Sequence, residues 1–371
     1  MQRCSMLGRT GLVGLLVLGL GGCGIFGGGG GDELTGDALV QHNIEEYESL
    51  QAELERNRTE AMGKSATEAA AVGNRLFWLT FPTTDASLHS LDTVSGARVD
   101  YTFGVGNSNA WNWRASDSIV VTASQGGGGL AYNAYDINQP EKVLGTLGMP
   151  SPGGGIRWYA YAPDGNQVYI VESGATNMLL RWTVGAAQPE SLFSLEEAGM
   201  SVGEFWDFGV EGNTAILIES GRVWSLDIAA KKATWLENET QATAAQWDSN
   251  GVFYLSATGP FFYANDTRKN RDIEAEIAAS GYGLNSTYNA IHEYDQGGAG
   301  NGDDVAYIGR DGLFLFDLAT GKTRPALLNA RDNSIVYRNP VLLENGKLFV
   351  QGLESKSGAT GAEGGWYEVD H

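Results

Sequence analysis

The chain has 371 residues, 42% of them apolar and 19% charged, enough for two average domains or one large repeat-built domain. Asp and Glu number 45 against 24 Lys and Arg, and the formal charge of −21 excludes a sequence-independent nucleic-acid binder, which needs a basic face. Two cysteines exclude a disulfide-rich scaffold, four histidines leave little room for a histidine-based metal site, and 52 glycines without a collagen period read as turn residues.

Residues 1–22 read as a signal peptide. Arg3 and Arg9 supply a positive start, and Leu12 to Leu20 is an apolar run. That run is too short to cross a hydrocarbon core of about 30 Å as a helix, but it fits the apolar stretch of a secretory signal. It ends in Leu20-Gly21-Gly22-Cys23, which resembles the bacterial lipobox. The resemblance implies lipidation of Cys23, cleavage before it and acylation of the new amino terminus. The thiol is the nucleophile, and the small residues admit the backbone to a peptidase. Several acyl chains hold a protein firmly where one is marginal. Loss of Arg3 and Arg9 would take the formal charge from −21 to −23. Gly24, where an aspartate is the usual inner-membrane retention signal of proteobacterial lipoproteins, favours the outer membrane; the membrane face is left open. Residues 23–36, with Gly27 to Gly31, form a flexible tether.

Residues 37–65 carry a helical pattern. Val40, Ile44, Tyr47, Leu50 and Leu54 recur at steps of three and four, with glutamates on the other faces and Asp37 placed as an N-cap. The stripe has two readings: it docks on the domain that follows, or it pairs with a partner.

From residue 66 to 371, short runs of Val, Ile, Tyr, Phe and Trp alternate with Gly, Asn and Asp turns, the texture of strands and hairpins. One unit recurs: strand, tight turn, very apolar strand, glycine turn, strand ending in aspartate, short turn, strand. Phe208 to Asn213 leads into Ala215 to Ile218 and then Arg222 to Asp227; Trp158 to Gly165 leads into Val168 to Val171. The third-strand aspartates Asp92, Asp136, Asp227, Asp266, Asp317 and Asp370, with Thr183 filling one gap, set a mean period of about 46, within the range of four-stranded blade repeats. Seven positions predict an all-β, seven-bladed β-propeller, because a small sheet dries both faces only by packing radially between two neighbours. The turn Ala162-Pro163-Asp164-Gly165 is similar to the Pro-Asp-Gly turn of WD40-like and Tol-system propellers of bacteria. That resemblance speaks to fold more than to function. The seventh unit stops after its third strand. Either it has three strands, or a segment before residue 65 supplies the fourth; the helical pattern of 37–62 favours three.

Several groups bear on chemistry. The aspartates read as turn formers. Asp295, Asn301, Asp303 and Asp304 form a candidate calcium site in an acidic glycine loop, although Gly297 and Ala299 interrupt the alternation of oxygen ligands. No other cofactor is expected. Trp111, Trp113, Trp158, Trp206 and Trp247 fall on or beside first strands, where they either stack on a ligand in the central channel or fill the wedges between blades. Ser225-Leu226-Asp227 followed by Trp235 has the spacing of the tryptophan-docking turn of quinoprotein-type propellers, but Lys231 stands where that turn has glycine, which argues against a quinone cofactor. Nucleophile-elbow, Walker and His-Glu-x-x-His patterns are absent from the sequence, and His42, His89, His292 and His371 suggest no cluster. The expectation is therefore a lipid-anchored outer-membrane lipoprotein whose propeller is a non-catalytic binding or scaffold module. Its partners would be envelope proteins or extracellular polymers such as polysaccharide. The alternative is a lyase- or lactonase-type propeller enzyme with a metal in the channel.

Overall fold

A computed structural model of the chain describes residues 37–62, 66–80, 87–101, 113–126, 129–150, 159–172, 176–200, 205–236, 241–247, 251–256, 259–264, 267–272, 304–309, 312–317, 322–330, 334–354 and 363–371. The stripe at steps of three and four forms helix α1 (Asp37–Leu54). Ile44, Tyr47, Leu50 and Leu54 are half-buried, whereas Glu45, Glu48 and Glu53 are exposed. The stripe thus docks on the domain that follows: Tyr47 Oη donates to Asn329 O at 2.8 Å, and Leu54 packs into a later hydrophobic cluster. The helix is shorter than the 37–65 expected. A 3₁₀ turn (Glu55–Asn57) follows it, and then strand β1 (Arg58–Met62).

The remaining strands form seven antiparallel sheets. Blade 1 is β2 (Ala66–Val72), β3 (Arg75–Thr80), β4 (Ser87–Asp92) and β5 (Arg98–Tyr101), and blade 2 is β6 (Trp113–Ala115), β7 (Ile119–Gly126), β8 (Gly129–Asp136) and β9 (Gln139–Pro150). Blade 3 is β10 (Tyr159–Asp164), β11 (Gln167–Glu172), β12 (Met178–Thr183) and β13 (Glu190–Ser194), and blade 4 is β14 (Phe205–Glu211), β15 (Thr214–Glu219), β16 (Arg222–Asp227) and β17 (Lys232–Trp235). Blade 5 is β18 (Ala242–Trp247), β19 (Gly251–Ser256), β20 (Gly259–Ala264) and β21 (Lys269–Asp272). Blade 6 shows β22 (Asp304–Gly309), β23 (Gly312–Asp317) and β24 (Lys322–Leu328), and blade 7 contains β25 (Ile335–Leu342), β26 (Leu348–Glu354) and β27 (Glu363–Val369). First strands touch one another around the axis: β6 with β10, β10 with β14, β14 with β18, and β25 with β2, which closes the ring.

Register assigns each strand its place in the blade. The residue ending a third strand pairs with the first residue of the second: Arg75 with Asp92, Ile119 with Asp136, Gln167 with Thr183, Thr214 with Asp227. Asp304 pairs with Asp317 in the same way. Accordingly β22, β23 and β24 are the second, third and fourth strands of blade 6, and its first position falls outside the described residues. Helix α1 packs against β24, the outer strand of that blade.

Blade 7 is completed from the other end of the chain. β1 lies against β27, with Arg58 opposite Val369, Thr59 opposite Glu368 and Glu60 opposite Tyr367, then a bulge and Met62 opposite Trp366. The expectation of three strands is thus corrected to four. The physical reason is that β27 would otherwise present a bare row of N–H and C=O groups, and a strand edge so exposed needs a partner or a cover. Arg58 pins this latch. Its Nη1 donates to Tyr337 Oη at 2.8 Å, and its guanidinium lies 4.6 Å from the Tyr367 ring centroid and 5.9 Å from that of Tyr337. Trp366 Nε1 donates to Ala66 O, carrying the closure into blade 1.

The core lies between blades. Second strands are buried on both faces, so their apolar residues run continuously instead of alternating: Leu76 to Leu79, Val168 to Val171, Ala215 to Ile218. Phe77, Leu79 and Tyr101 of blade 1 pack on Trp113, Ala115 and Val120 of blade 2, and Trp182 of blade 3 is buried against blade 2. Each such side chain contributes about 1.5–3 kcal/mol by leaving water.

Candidate functional site

The two faces of the ring differ in how their strand ends are joined. First-to-second and third-to-fourth strand turns share one face and are short; among those that join two described strands the longest is 184–189. Second-to-third and fourth-to-first connections share the other face, and they include 102–112, 151–158, 195–204 and 355–362. The short-turn face is held together by its own polar groups. Asp92 Oδ1 accepts from the N–H groups of Val94 and Ser95, Asp136 Oδ1 from Asn138 N, and Asp227 Oδ1 from Ala230 N and Asn213 Nδ2. Backbone N–H donation to these carboxylates holds Asp92, Asp136 and Asp227 below the usual carboxylate range. Neighbouring blades are stapled on the same face: Arg75 Nη2 to Asn138 Oδ1 at 2.9 Å, Ser116 Oγ to Gly165 O at 2.7 Å, Gly212 N to Asp164 Oδ2 at 3.1 Å, and Asn345 Nδ2 to Thr93 Oγ1 at 2.9 Å. A surface whose donors and acceptors are already paired has fewer left for a ligand. The long-connection face is therefore the candidate recognition face.

The residues singled out in the sequence distribute as follows. Trp113 opens β6 at the long-connection end, but it is buried, with its ring centroid 5.3 Å from that of Phe77, and it fills the wedge between blades 1 and 2. Trp206 falls within β14 and Trp247 ends β18. Trp111 and Trp158 lie outside the described residues, in the connections 102–112 and 151–158. Of the calcium candidates, Asp295, Asn301 and Asp303 lie outside the described residues, as do Cys23 and His292. Asp304 opens β22, and its Oδ2 lies 3.4 Å from Arg324 Nη2. Among the described residues no three His, Cys, Asp or Glu side chains converge as a metal site would require.

One constellation escaped the sequence reading. Thr80, His89 and Asp100 sit on β3, β4 and β5, the outer three strands of blade 1. Thr80 Oγ1 is 2.7 Å from His89 Nε2, and His89 Nδ1 is 2.6 Å from Asp100 Oδ1. The imidazole stacks on Trp78 with centroids 5.4 Å apart, and the Arg98 guanidinium lies 5.0 Å from the same ring. The hydrogen bond from His89 holds Asp100 below the ordinary carboxylate range. The order hydroxyl, imidazole, carboxylate is that of a nucleophile relay. Here its members are cross-strand neighbours on the outer wall, away from the central opening, and Asp100 is 61% exposed. Only the pairing of three strands brings them together, so no local sequence signal announces them.

No family model and no curated protein sequence matches the chain. Solved structures do. An oligogalacturonate lyase in complex with manganese superposes with a TM-score of 0.53 at 11% identity, over 84% of this chain and 92% of that one. An oligogalacturonate lyase from Vibrio parahaemolyticus gives 0.52 at 8% identity, over 85% and 94%. The extracellular domain of a hybrid two-component system from B. thetaiotaomicron gives 0.50 at 12% identity, over 85% of this chain and 40% of that one. What these structures share with the chain is the β-propeller fold. At such identities the likeness carries no residue-level chemistry across.

Proposed function

We propose that this chain is a lipid-anchored, non-catalytic binding module of the outer membrane, which presents the long-connection face of its propeller to an envelope protein or an extracellular polymer. The observation that carries the reading is the division of the ring into a stapled short-turn face and a face of long connections. Binding residues concentrate on loops held by a rigid scaffold, and a closed ring of seven sheets is such a scaffold. The lipobox-like run ending at Cys23 supports the anchor, and the tether 23–36 gives the ring reach from a membrane surface.

Crosslinking in intact cells tests the reading. A photoreactive amino acid is placed at Ala175 or Ser357, in long-connection-face segments, and at Val94 or Asn166, in short turns. Partner adducts are expected from the first pair. Adducts of equal yield from both pairs, or from neither, would refute the assignment of the face. Separately, Cys23→Ser is expected to abolish palmitate labelling and to release the protein from the membrane fraction; a labelled or still membrane-bound variant overturns the anchor.

A further inference from the structure

Arg114 on β6 and Arg338 on β25 differ from most other cations of the ring. Both strands are first strands, the innermost of their blades. Arg75, Arg98, Lys142, Arg181, Arg324 and Lys347 each meet a carboxylate at 3.7 Å or less. Arg114 and Arg338 meet none among the described residues. Arg114 Nη1 reaches the carbonyl oxygen of Trp113 at 3.4 Å, and Arg338 Nε donates to Gln351 Oε1 at 2.8 Å. In a chain of formal charge −21, two arginines at the centre of the fold that pair with no acid call for a reason.

A bulge sets the direction of Arg338. From Arg338 to Val341 β25 takes three steps, while β26 takes two from Gln351 to Phe349. Asn339, inside the bulge, has φ +52°, a left-handed conformation that strains a side-chain-bearing residue. Bulges re-aim the side chains beside them. Gln351 is buried, and its Oε1 accepts from Arg338 Nε and from Asn339 Nδ2 at 3.0 Å. That bond orients the guanidinium through Nε and leaves both Nη groups for another partner. Arg338 is exposed and Arg114 half-buried. At mid-height of an innermost strand, exposure is exposure to the central opening of the ring.

Register gives the two arginines nearly one height. Counted from the short-turn face, Arg114 stands opposite Val121, the third residue of β7, and Arg338 opposite Gln351, the fourth of β26. The difference is one residue, about 3.3 Å. The acids of the described first and second strands stand at other heights. Asp164, Glu211 and Asp304 are at the first step and Glu68 and Asp207 at the fifth, with the glutamates that end β11, β15 and β26 higher still. The first position of blade 6 lies outside the described residues. At the third and fourth steps blade 1, between the two arginines, carries Ala70 and Ala69, whose short side chains leave room.

We propose that the central opening binds a small polycarboxylate, with one carboxylate on Arg338 and a second on Arg114. A guanidinium with both Nη groups free matches a carboxylate through two parallel hydrogen bonds. Walls of low dielectric around the opening strengthen the field of the two charges. A structural role explains less. Closing the bulge onto Gln351 takes one N–H donor, which a neutral amide supplies without an unpaired charge. The site lies on the axis and stands or falls without the long-connection reading.

The test is isothermal titration of the full chain with citrate at fixed ionic strength, with acetate as the single-carboxylate control. One citrate per chain is expected, bound at least tenfold more tightly than acetate. Arg338→Gln and Arg114→Gln should each lower the citrate affinity at least tenfold. Arg338→Lys, which keeps the charge and loses the planar fork, should lower it less than Arg338→Gln. Arg181→Gln, on an outer strand, should leave it unchanged. The melting temperature of each ligand-free variant separates lost charge from lost fold, and citrate should raise it in the parent chain and less in the two glutamine variants. Absence of citrate binding, unchanged affinity in both glutamine variants, or an equal loss in Arg181→Gln overturns the proposal.

Discussion

Replacement of Arg58 by alanine should loosen the latch before it affects any blade. Arg58 makes a charge-assisted hydrogen bond to Tyr337 at 2.8 Å and a cation–π contact with Tyr367 at 4.6 Å, with its side chain 17% exposed. A hydrogen bond involving a charged group is worth about 1.5–3 kcal/mol, and a half-desolvated cation–π contact adds about 1 kcal/mol. The pair with Glu55, at 3.9 Å and 30% exposed on the acid's side, adds little. The sum is about 3 kcal/mol, a factor of about 100 in the equilibrium between docked and open β1. Burial raises the Tyr337 hydroxyl above its ordinary range, so the phenol stays protonated and the interaction is independent of pH through neutrality. Hydrogen exchange reads this directly. In Arg58→Ala, amides of β1 and of the facing edge of β27 should exchange about 100-fold faster, while β11 and β15 keep their protection. Tyr337→Phe, which keeps the ring and removes the acceptor, should show a smaller effect. Unchanged protection in β1, or uniform loss across all blades, would refute the claim that Arg58 anchors a locally opening latch.

Trp113→Ala empties the wedge between blades 1 and 2 and should cost about 3–5 kcal/mol, seen as a lowered melting temperature with an unchanged far-UV spectrum at low temperature. At Gly251 a Cβ would stand 2.2 Å from Tyr263 O, which is backbone, so Gly251→Ala should cost about 1–3 kcal/mol or more in the same measurement. Asp92, Asp100, Asp136 and Asp227 all have depressed folded-state pKa values. Their contribution is complete above the unfolded value of about 3.9 and is lost as pH falls through the lower folded values, because there the unfolded chain binds more protons. The melting temperature should therefore be flat from about pH 7 to 5 and fall steeply below about pH 4. Asp92→Asn should make that fall shallower, and an equal slope would exclude the turn carboxylates as its origin.

The blade count was legible because turn chemistry repeats. Asp92, Asp136 and Asp227 fold their own turns through bonds two or three residues ahead, so a local rule stamps the period on the sequence. Helix α1 was legible for a similar reason: its stripe is a property of one segment. The latch was not. Arg58 to Met62 is too short to signal a strand against a preceding helical pattern, and its conformation is decided by β27 at the far end of the chain. The Thr80–His89–Asp100 chain was hidden for the same reason, since register across three strands sets it. For the tryptophans, the sequence does not tell which are buried. Trp113 is buried in a wedge and Trp235 stands at the surface, and the neighbouring blade decides which.

The pairing of Arg58 with Val369 also orders the events of biosynthesis. Blade 7 draws its outer strand from residues made before blade 1 and its third strand from residues made after every other sheet. Six sheets can assemble as they emerge, but the circle stays open until β27 has been made. A product truncated before residue 363 would leave β1 without its partner and would be a ready substrate for proteases. Joining the two ends of the domain in one sheet thus makes closure of the ring wait on the synthesis of its last strand.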